Sequence, residues 1–412
     1  MNSIKTALEG AYEASLALTT SKGVDRSRGL LLMAQAIQSA LDEILEANTL
    51  DLEISRDMAV PELILEWLKL TPERLKITVR ILERLGELSD PIGSVRYAPY
   101  PLEEGQTHFQ MMPLGVVAFI YEALPELGII AAGLALKTGN SIILRGGSEA
   151  NHSNTIIAQV LATALEKSNL PSGCLTVLPC EQGSDIRDLV VQDHYLNLVI
   201  PYGRSSLVQK VTEAATVPVL KSAIGNCYLY WSMGNLELAR WLIIDSHASE
   251  PDPVNAIEKV LVTPGQKSNS LMRMFTSLKE KGFILRGDEQ LVDEFPGQLS
   301  LAKESEWGKP YLQKIVAFKV VKDLDMAITW INQYSSGHAD CIVTNSYQES
   351  YQFTLGIDSA LVYVNTSPRF ARNPKQGSSV FLGVSNQKGH RRGLISMETL
   401  TSFKQVVKGR GF

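Results

Sequence analysis

The sequence has 412 residues, enough for two or three domains at about 150 residues each, and 45% of them are apolar, enough for sizeable cores. With 39 Lys plus Arg against 44 Asp plus Glu, the net charge of -5 leaves no basic excess to neutralise a phosphate backbone, so nucleic acid is not an expected partner. The apolar stretches come in strand-length or helix-length units, so no membrane span is expected, and the N-terminus MNSIKTALEGAYEASLAL reads as an amphipathic helix rather than a signal peptide. The cysteines, Cys174, Cys180, Cys227 and Cys341, are scattered, with no CxxC pair and no histidines at metal spacing. Neither a disulfide framework nor a metal site is expected, and the default setting is a reduced cytoplasm.

In chain order, residues 1 to about 90 predict helices, with apolar residues recurring at three and four spacing in GLLLMAQAIQSALDEILEAN and ERLKITVRILERLGEL. Thr71-Pro72 is a start signal, a capping hydroxyl followed by proline at the first helical position. VRYAPYP and THFQMMP predict two strands of a ribbon. After Pro113, strand and helix alternate at short spacing: GVVAFIY, then ELGIIAAGLALKTGN stopping at Gly139, SIILRGG, HSNTIIAQVLATALEKSN, CLTVLP, a short helix in DIRDLVVQ, LNLVIP, SSLVQKVTEAA and VPVL. That alternation argues for a parallel, doubly wound sheet. From about Tyr228 a second α/β domain is expected, with strands in YLYW, KVLVT, IVAFKVV, CIVT and ALVYVN and helices in LELARWLIID, SLMRMFTSLKEKG and LDMAITWINQY. The polar end, from about Gln387, reads as an arm.

One loop carries the features of a nucleotide site. Strand SIILR runs into Arg145-Gly146-Gly147-Ser148-Glu149 and then a helix. The glycines let backbone approach a ligand, and the helix start offers free N–H groups and a positive dipole end to a phosphate. Arg145 suits a phosphate and Glu149 a ribose hydroxyl. The loop is not GxGxxG, and plain turn chemistry is the competing reading.

The segment PLGVVAFIYEALPELGIIAAGLALKTGNSIILRGGSEANHSN resembles the signature region of γ-glutamyl phosphate reductases. Matching blocks follow in order: ATVPVL at 215–220, GNCYLY at 225–230, INQYSSGHADCIVT at 331–344, VYVNTSPRF at 362–370, QKGHRRG and SMETLTSFKQVVKG. The resemblance covers nearly the whole chain. It implies an α/β, aldehyde dehydrogenase-like fold of two doubly wound domains with an oligomerisation arm and, through the arm, a homodimer. The nucleotide domain would take residues 1–95 and 111–227, the catalytic-type domain 228–385, and the arm 96–110 and 386–412. The implied reaction is NADPH-dependent reduction of L-glutamyl 5-phosphate to L-glutamate 5-semialdehyde in proline biosynthesis. In that family a cysteine thiolate forms a thioester that accepts hydride.

The sequence departs from the family at its chemical centre. A segment like QRPSVCNA, placed before a helix that leads to a strand, carries the nucleophile; here SEPDPVNAIEKVLV puts Val254 at the cysteine position, beside Asn255. Valine has no proton to lose and cannot form a thioester. YEARPN reads Tyr121-Glu122-Ala123-Leu124-Pro125-Glu126, an aspartate becomes Ile130, IPRGG reads Ile200-Pro201-Tyr202-Gly203-Arg204, and a glutamate before Tyr-Leu becomes Pro310. A glycine-rich stretch that ends in an acidic residue reads Gly377-Ser378-Ser379-Val380-Phe381. None of the four cysteines is an expected replacement nucleophile, and nothing near Cys180 in sequence would lower its pKa. Asn365 and Arg369 match the family after a strand end, where Arg369 would hold a substrate carboxylate or phosphate. His152, Asn154 and His338 face a ligand or serve structure, and His390-Arg391-Arg392 reads as a solvated or intersubunit face. The chain is therefore expected to perform the family reaction without the thiolate, to be an inactive paralogue that binds a nucleotide or metabolite or pairs with an active homologue, or to be a scaffold with a new ligand altogether.

Overall fold

The apolar periodicity at the start of the chain becomes five helices in the structure, a computed structural model that describes residues 2–97, 106–180, 186–248, 251–266, 268–377, 379–389 and 391–409. These are α1 (Asn2–Leu18), α2 (Gly23–Ser39), α3 (Leu41–Asp57), α4 (Glu62–Leu68) and α5 (Pro72–Glu87). Thr71 caps α5 as its sequence predicts, accepting the Arg74 N–H at 3.2 Å, and Pro72 sits where no hydrogen bond is lost. Strands β1 (Val95–Tyr97) and β2 (Gln106–Pro113) follow; the rest of the expected ribbon, 98–105, lies outside the described residues.

The chain divides into two compact units, Met1–Ser222 with Arg372–Leu382 and Leu394–Phe412, and Ala223–Ala371 with Gly383–Gly393. In the first, β3 (Val116–Tyr121), α6 (Pro125–Lys137), β4 (Ser141–Arg145), α7 (Asn151–Glu166), β5 (Leu175–Val177), α8 (Ile186–Val190), β6 (Leu198–Tyr202) and α9 (Ser205–Ala214) alternate. The four strands pair in parallel in the order β5-β4-β3-β6. All six residues of β3 are buried, which is why the strand is a continuous apolar run: helices cover both faces of a parallel sheet. Helix α6 is buried on every side. Its small residues make that possible, since a Cβ on Gly133 would lie 2.7 Å from a Leu82 methyl of α5. The expected strand at VPVL is reduced to one parallel bridge, Val199 to Val219, because Pro218 has no N–H to extend a ladder.

The second unit contains β7 (Cys227–Trp231), α10 (Leu236–Ser246), β8 (Ile257–Val262), α11 (Ser268–Glu280), β9 (Ile284–Gly287), α12 (Glu289–Glu294), β10 (Ser300–Leu301), β11 (Ile315–Val320), α13 (Leu324–Tyr334), β12 (Ala339–Val343), α14 (Tyr347–Gly356) and β13 (Leu361–Val364). The seven strands form one parallel sheet ordered β10-β9-β11-β8-β7-β12-β13. Phe275 meets Phe318 edge-on, ring centroids 5.0 Å apart, in the core between α11 and this sheet. The excursion β9-α12-β10 has no counterpart in the sequence reading: a four-residue strand ending Arg286-Gly287 is too short to show a period.

Two short strands, β14 (Gly383–Ser385) and β15 (Gly393–Ile395), precede β16 (Thr401–Lys408). β16 returns to the first unit and pairs antiparallel with β2 along its full length, Thr401 opposite Pro113 and Lys408 opposite Gln106, while β1 pairs with the other edge of β2. The strand order reverses between β3 and β6 in the first parallel sheet and between β7 and β12 in the second, where β11 also inserts between β9 and β8. Crevices at the carboxyl ends of such strands are where open α/β sheets bind ligands.

Candidate functional site

At the switch point of the first unit, β3 ends in Tyr121-Glu122-Ala123 and β6 in Tyr202-Gly203-Arg204. The Arg204 guanidinium forks onto the Glu122 carboxylate, with Nη2 2.8 Å from Oε1, and the Arg204 backbone N–H donates to Oε2, also at 2.8 Å. Gly203 makes this possible: it stands at φ +148, and a Cβ there would lie 2.6 Å from Glu122 Oε2. Tyr202 is buried, and its hydroxyl accepts from Arg372 at 2.7 Å.

The glycine loop differs from its sequence reading. The N–H groups at the start of α7 are not open to a phosphate. Asp51, on α3, accepts the N–H of His152 at 2.9 Å through Oδ1 and that of Ser153 at 2.8 Å through Oδ2, so a buried carboxylate of the chain already caps the helix. His152 adds its ring Nδ1 to the same oxygen at 2.9 Å. Glu149 Oε1 accepts the Ala123 N–H at 2.7 Å, and burial raises its carboxyl pKa against the pull of those backbone hydrogen bonds. Arg145 turns back on its own loop: Nη1 donates to the Gly146 carbonyl and lies 3.1 Å from the Cys180 sulfur. The loop's own side chains use the space at both glycines: a Cβ on Gly146 would meet Asn154 Nδ2 at 2.2 Å and one on Gly147 would meet Glu149 Oε1 at 2.0 Å. Asn154 serves structure as well, its Oδ1 accepting from the Tyr121 hydroxyl at 2.9 Å.

Beside the loop lies a cavity of about 410 Å³. Ile54, Met58, Val60 and Ile64, from α3, α4 and the turn between them, make one apolar side. Ser148, Glu149, His152 and Arg204 face it from the other. An apolar shelf opposite a few polar groups is the usual make-up of a small-molecule site. Near this sheet Leu124 and Ile130 are fully packed, and Glu126 pairs with Arg74, whose Nε lies 3.0 Å from its Oε1. The Gly377–Phe381 stretch, whose Ser378 lies outside the described residues, is held by Arg84, Nη1 donating to the Pro374 carbonyl at 2.6 Å and Nη2 to that of Gly377.

In the second unit, Val254 is fully buried in a turn that runs directly into β8, without the intervening helix that the family segment implies. Its N–H donates to the Asp252 carbonyl at 2.8 Å. Its carbonyl accepts from Gly225 N at 2.9 Å and lies 2.7 Å from His338 Nε2. Asn255 donates to the Pro368 carbonyl at 2.8 Å. His338 is buried, Nδ1 meets the Ser336 hydroxyl at 2.8 Å, and burial pushes its pKa down to about 4. It is a neutral, hydrogen-bonded ring that fastens the Val254 turn. Glu258, on β8, accepts the N–H groups of Asn226, Tyr311 and Leu312 at 2.9, 2.8 and 2.7 Å, which clasps the loop of Pro310 against the sheet.

No cysteine is activated. Burial pushes Cys174 up to about 11, and raises Cys227 and Cys341 well above the ordinary thiol value. Cys180 is raised by burial too, although the fold brings Arg145 beside it, a lowering neighbour that no sequence spacing reveals. Asn365 has both functions of its amide committed to Thr344, Oδ1 accepting its N–H at 3.0 Å and Nδ2 donating to its carbonyl at 2.8 Å. Arg369 is half-exposed and lies 3.4 Å from Asp245. His390 lies outside the described residues, and Arg392 pairs with Asp358 at 3.0 Å. The sequence reading did not single out Asp51, or Glu122 as the partner of Arg204; the displaced arginine of the IPRGG segment was the one available sign.

A sequence profile of the aldehyde dehydrogenase family matches residues 1–225. The chain is 55% identical over 403 residues to the gamma-glutamyl phosphate reductase 2 of Synechocystis sp., spanning 98% of this chain and 96% of that protein. It is 39% identical over 410 residues to the gamma-glutamyl phosphate reductase of Gloeobacter violaceus, spanning 99% and 97%. The crystal structure of gamma-glutamyl phosphate reductase from Thermotoga maritima superposes with a TM-score of 0.89 at 32% identity, covering 99% of this chain and 98% of that one.

Proposed function

This chain belongs to the gamma-glutamyl phosphate reductase family, within the aldehyde dehydrogenase superfamily, and from that premise we propose that it keeps the family's nucleotide-binding half but not its thiol chemistry. Its function is then that of a non-catalytic paralogue that binds NADPH or a related nucleotide, or pairs with an active homologue. The observation that carries this reading is the turn at Val254, the residue that the motif resemblance sets against the family's cysteine: its side chain is buried and its backbone N–H and carbonyl are both bonded, while burial raises the pKa of every thiol in the chain. NADPH is supported by fit. The ends of β3 and β6 and the 410 Å³ cavity lie in one unit, and the cavity joins an apolar wall to hydroxyl and carboxylate groups suited to a base and a ribose. When bound, it would supply hydride; the residues of this chain would hold it, with Ser148 and Glu149 on the ribose side and Arg204 on the phosphate side. The ribbon β1-β2-β16 supports a homodimer, since among the described residues no strand pairs with the outer edge of β16. Residence in the cytoplasm belongs to the same reading.

The full-length identity to a relative named as such a reductase favours a second reading, the reduction of glutamyl 5-phosphate to glutamate 5-semialdehyde in proline biosynthesis. Without an enzyme-bound thioester that reaction loses the division of one hard step into two easier ones, and several orders of magnitude in rate. The deciding experiment runs the reaction in reverse: purified protein with glutamate 5-semialdehyde, phosphate and NADP, followed by NADPH absorbance, beside Val254→Cys. The expected result is no phosphate-dependent NADPH formation by the unmodified protein, together with measurable NADPH binding. Turnover well above background that survives thiol alkylation would establish the second reading in place of the first.

A further inference from the structure

We infer that the Glu122–Arg204 pair is the phosphate-reading element of the nucleotide site: the Glu122 carboxylate holds the guanidinium as a phosphate would, and a nucleotide phosphate displaces it and takes over Arg204. The inference rests on the nucleotide-binding reading and adds to it the residue that selects for phosphate.

The two candidate anion positions of the first unit are not equivalent. At the start of α7, Asp51 is a permanent occupant. Its side chain is 2% exposed and accepts four hydrogen bonds, from the N–H groups of His152 and Ser153, the His152 ring and the Ser153 hydroxyl, within 2.7–2.9 Å. At the ends of β3 and β6, the occupant can leave. The Glu122 and Arg204 side chains are 14% and 42% exposed, and Arg204 lines the cavity. The Glu122 carboxylate receives one backbone N–H and a guanidinium fork, the donor set that recognises a phosphate equally well. Gly203, at φ +148, leaves the space in which Glu122 approaches.

Charge makes the exchange selective. The remaining ionisable groups on the cavity wall are Asp51, Glu149 and His152, and His152 is already on Asp51. Arg145, the cation closest to the loop in sequence, is folded onto Gly146 and Cys180. A phosphate entering this carboxylate-lined cavity therefore depends on Arg204. A nucleoside without phosphate makes no such demand, because it enters with the Glu122–Arg204 pair intact.

The test is titration calorimetry of the full-length protein, Glu122→Gln and Arg204→Gln with NADPH and with adenosine, each variant first checked for an unchanged melting temperature. Removing the competing charge in Glu122→Gln is expected to tighten NADPH by about tenfold, the scale of one charge-assisted contact. Arg204→Gln, which leaves Glu122 facing the phosphate, is expected to weaken it by at least about tenfold. Adenosine affinity should stay within about twofold in both, as neither substitution touches the apolar shelf. NADPH binding by the unmodified protein that Glu122→Gln leaves equal or weaker overturns this inference and leaves the nucleotide reading standing. No NADPH binding by any of the three proteins overturns the nucleotide reading and this inference with it.

Discussion

Gly203 is a position where backbone and side-chain constraints coincide. Its φ of +148 is a conformation that L residues rarely adopt, and the added methyl of Gly203→Ala would fall 2.6 Å from Glu122 Oε2. The substitution is expected to lower unfolding free energy by about 1–3 kcal/mol, the usual cost of a residue held in such a region. Urea denaturation of the two proteins checks it, and coincident midpoints would show that the loop simply rearranges. Individual residues were legible in the sequence to the extent that their roles are local. The cap of α5 could be read because Thr71 and Pro72 stand next to the helix that they start. The partners of Arg145, Glu149 and Asn365 could not be read, because each is set by a residue brought near by the fold: Cys180, Ala123 and Thr344. That the space at glycines 146 and 147 is shared with the chain's own Asn154 and Glu149 could not be read either, since both neighbours depend on the turn of the loop.

Among the elements, α7 depends on a cap that is distant in sequence. Asp51→Ala would strip the N–H groups of His152 and Ser153 of their acceptor in a buried setting. It is expected to cost about 1–2 kcal/mol, as lost N-caps do, with Asp51→Asn in between because one oxygen remains to accept. Thermal or urea unfolding of the pair checks this, and an alanine variant as stable as the parent would mean that water serves the helix start. The elements themselves followed closely from the sequence where their pattern is long. α5 showed its cap and amphipathic period, β3 its apolar run and α6 its small residues. Short pieces escaped. β9 and β10 have four and two residues, and Pro218 turned an expected strand into a single bridge. α14 carries too weak an apolar stripe to announce a helix, with Phe353 its buried residue.

For the molecule as a whole, buried ionisable groups set how stability responds to acid. Burial pushes His247 and His338 down to about 4, from 6.5, and pushes Asp340 up to about 7, from 3.8. Between pH 4 and 6.5 each histidine binds a proton in the unfolded chain but not in the folded one, so each favours folding as pH rises. Asp340 acts in the opposite direction over nearly the same window, because the folded chain keeps a proton that the unfolded chain has released. Glu149 and Glu258, whose carboxyls burial also raises, act with Asp340, so the two histidines, each worth about 1.4 kcal/mol per pH unit, are opposed by three buried carboxyls. His338→Gln should take away one ring's share and lower the slope of stability against pH by about 1.4 kcal/mol per pH unit, read from urea midpoints between pH 4.5 and 6.5; parallel profiles would mean that the ring titrates normally. The return of β16 to β2 has a consequence for how the protein is made. Residues 401–408 complete a sheet whose other strands leave the ribosome some 300 residues earlier. Until they emerge, eight residues of β2 backbone wait with one edge unpaired while the whole second unit is synthesised. During translation the nascent chain is therefore exposed to edge-to-edge association with its neighbours on the same messenger, and a chaperone that shields β2 would act in that interval.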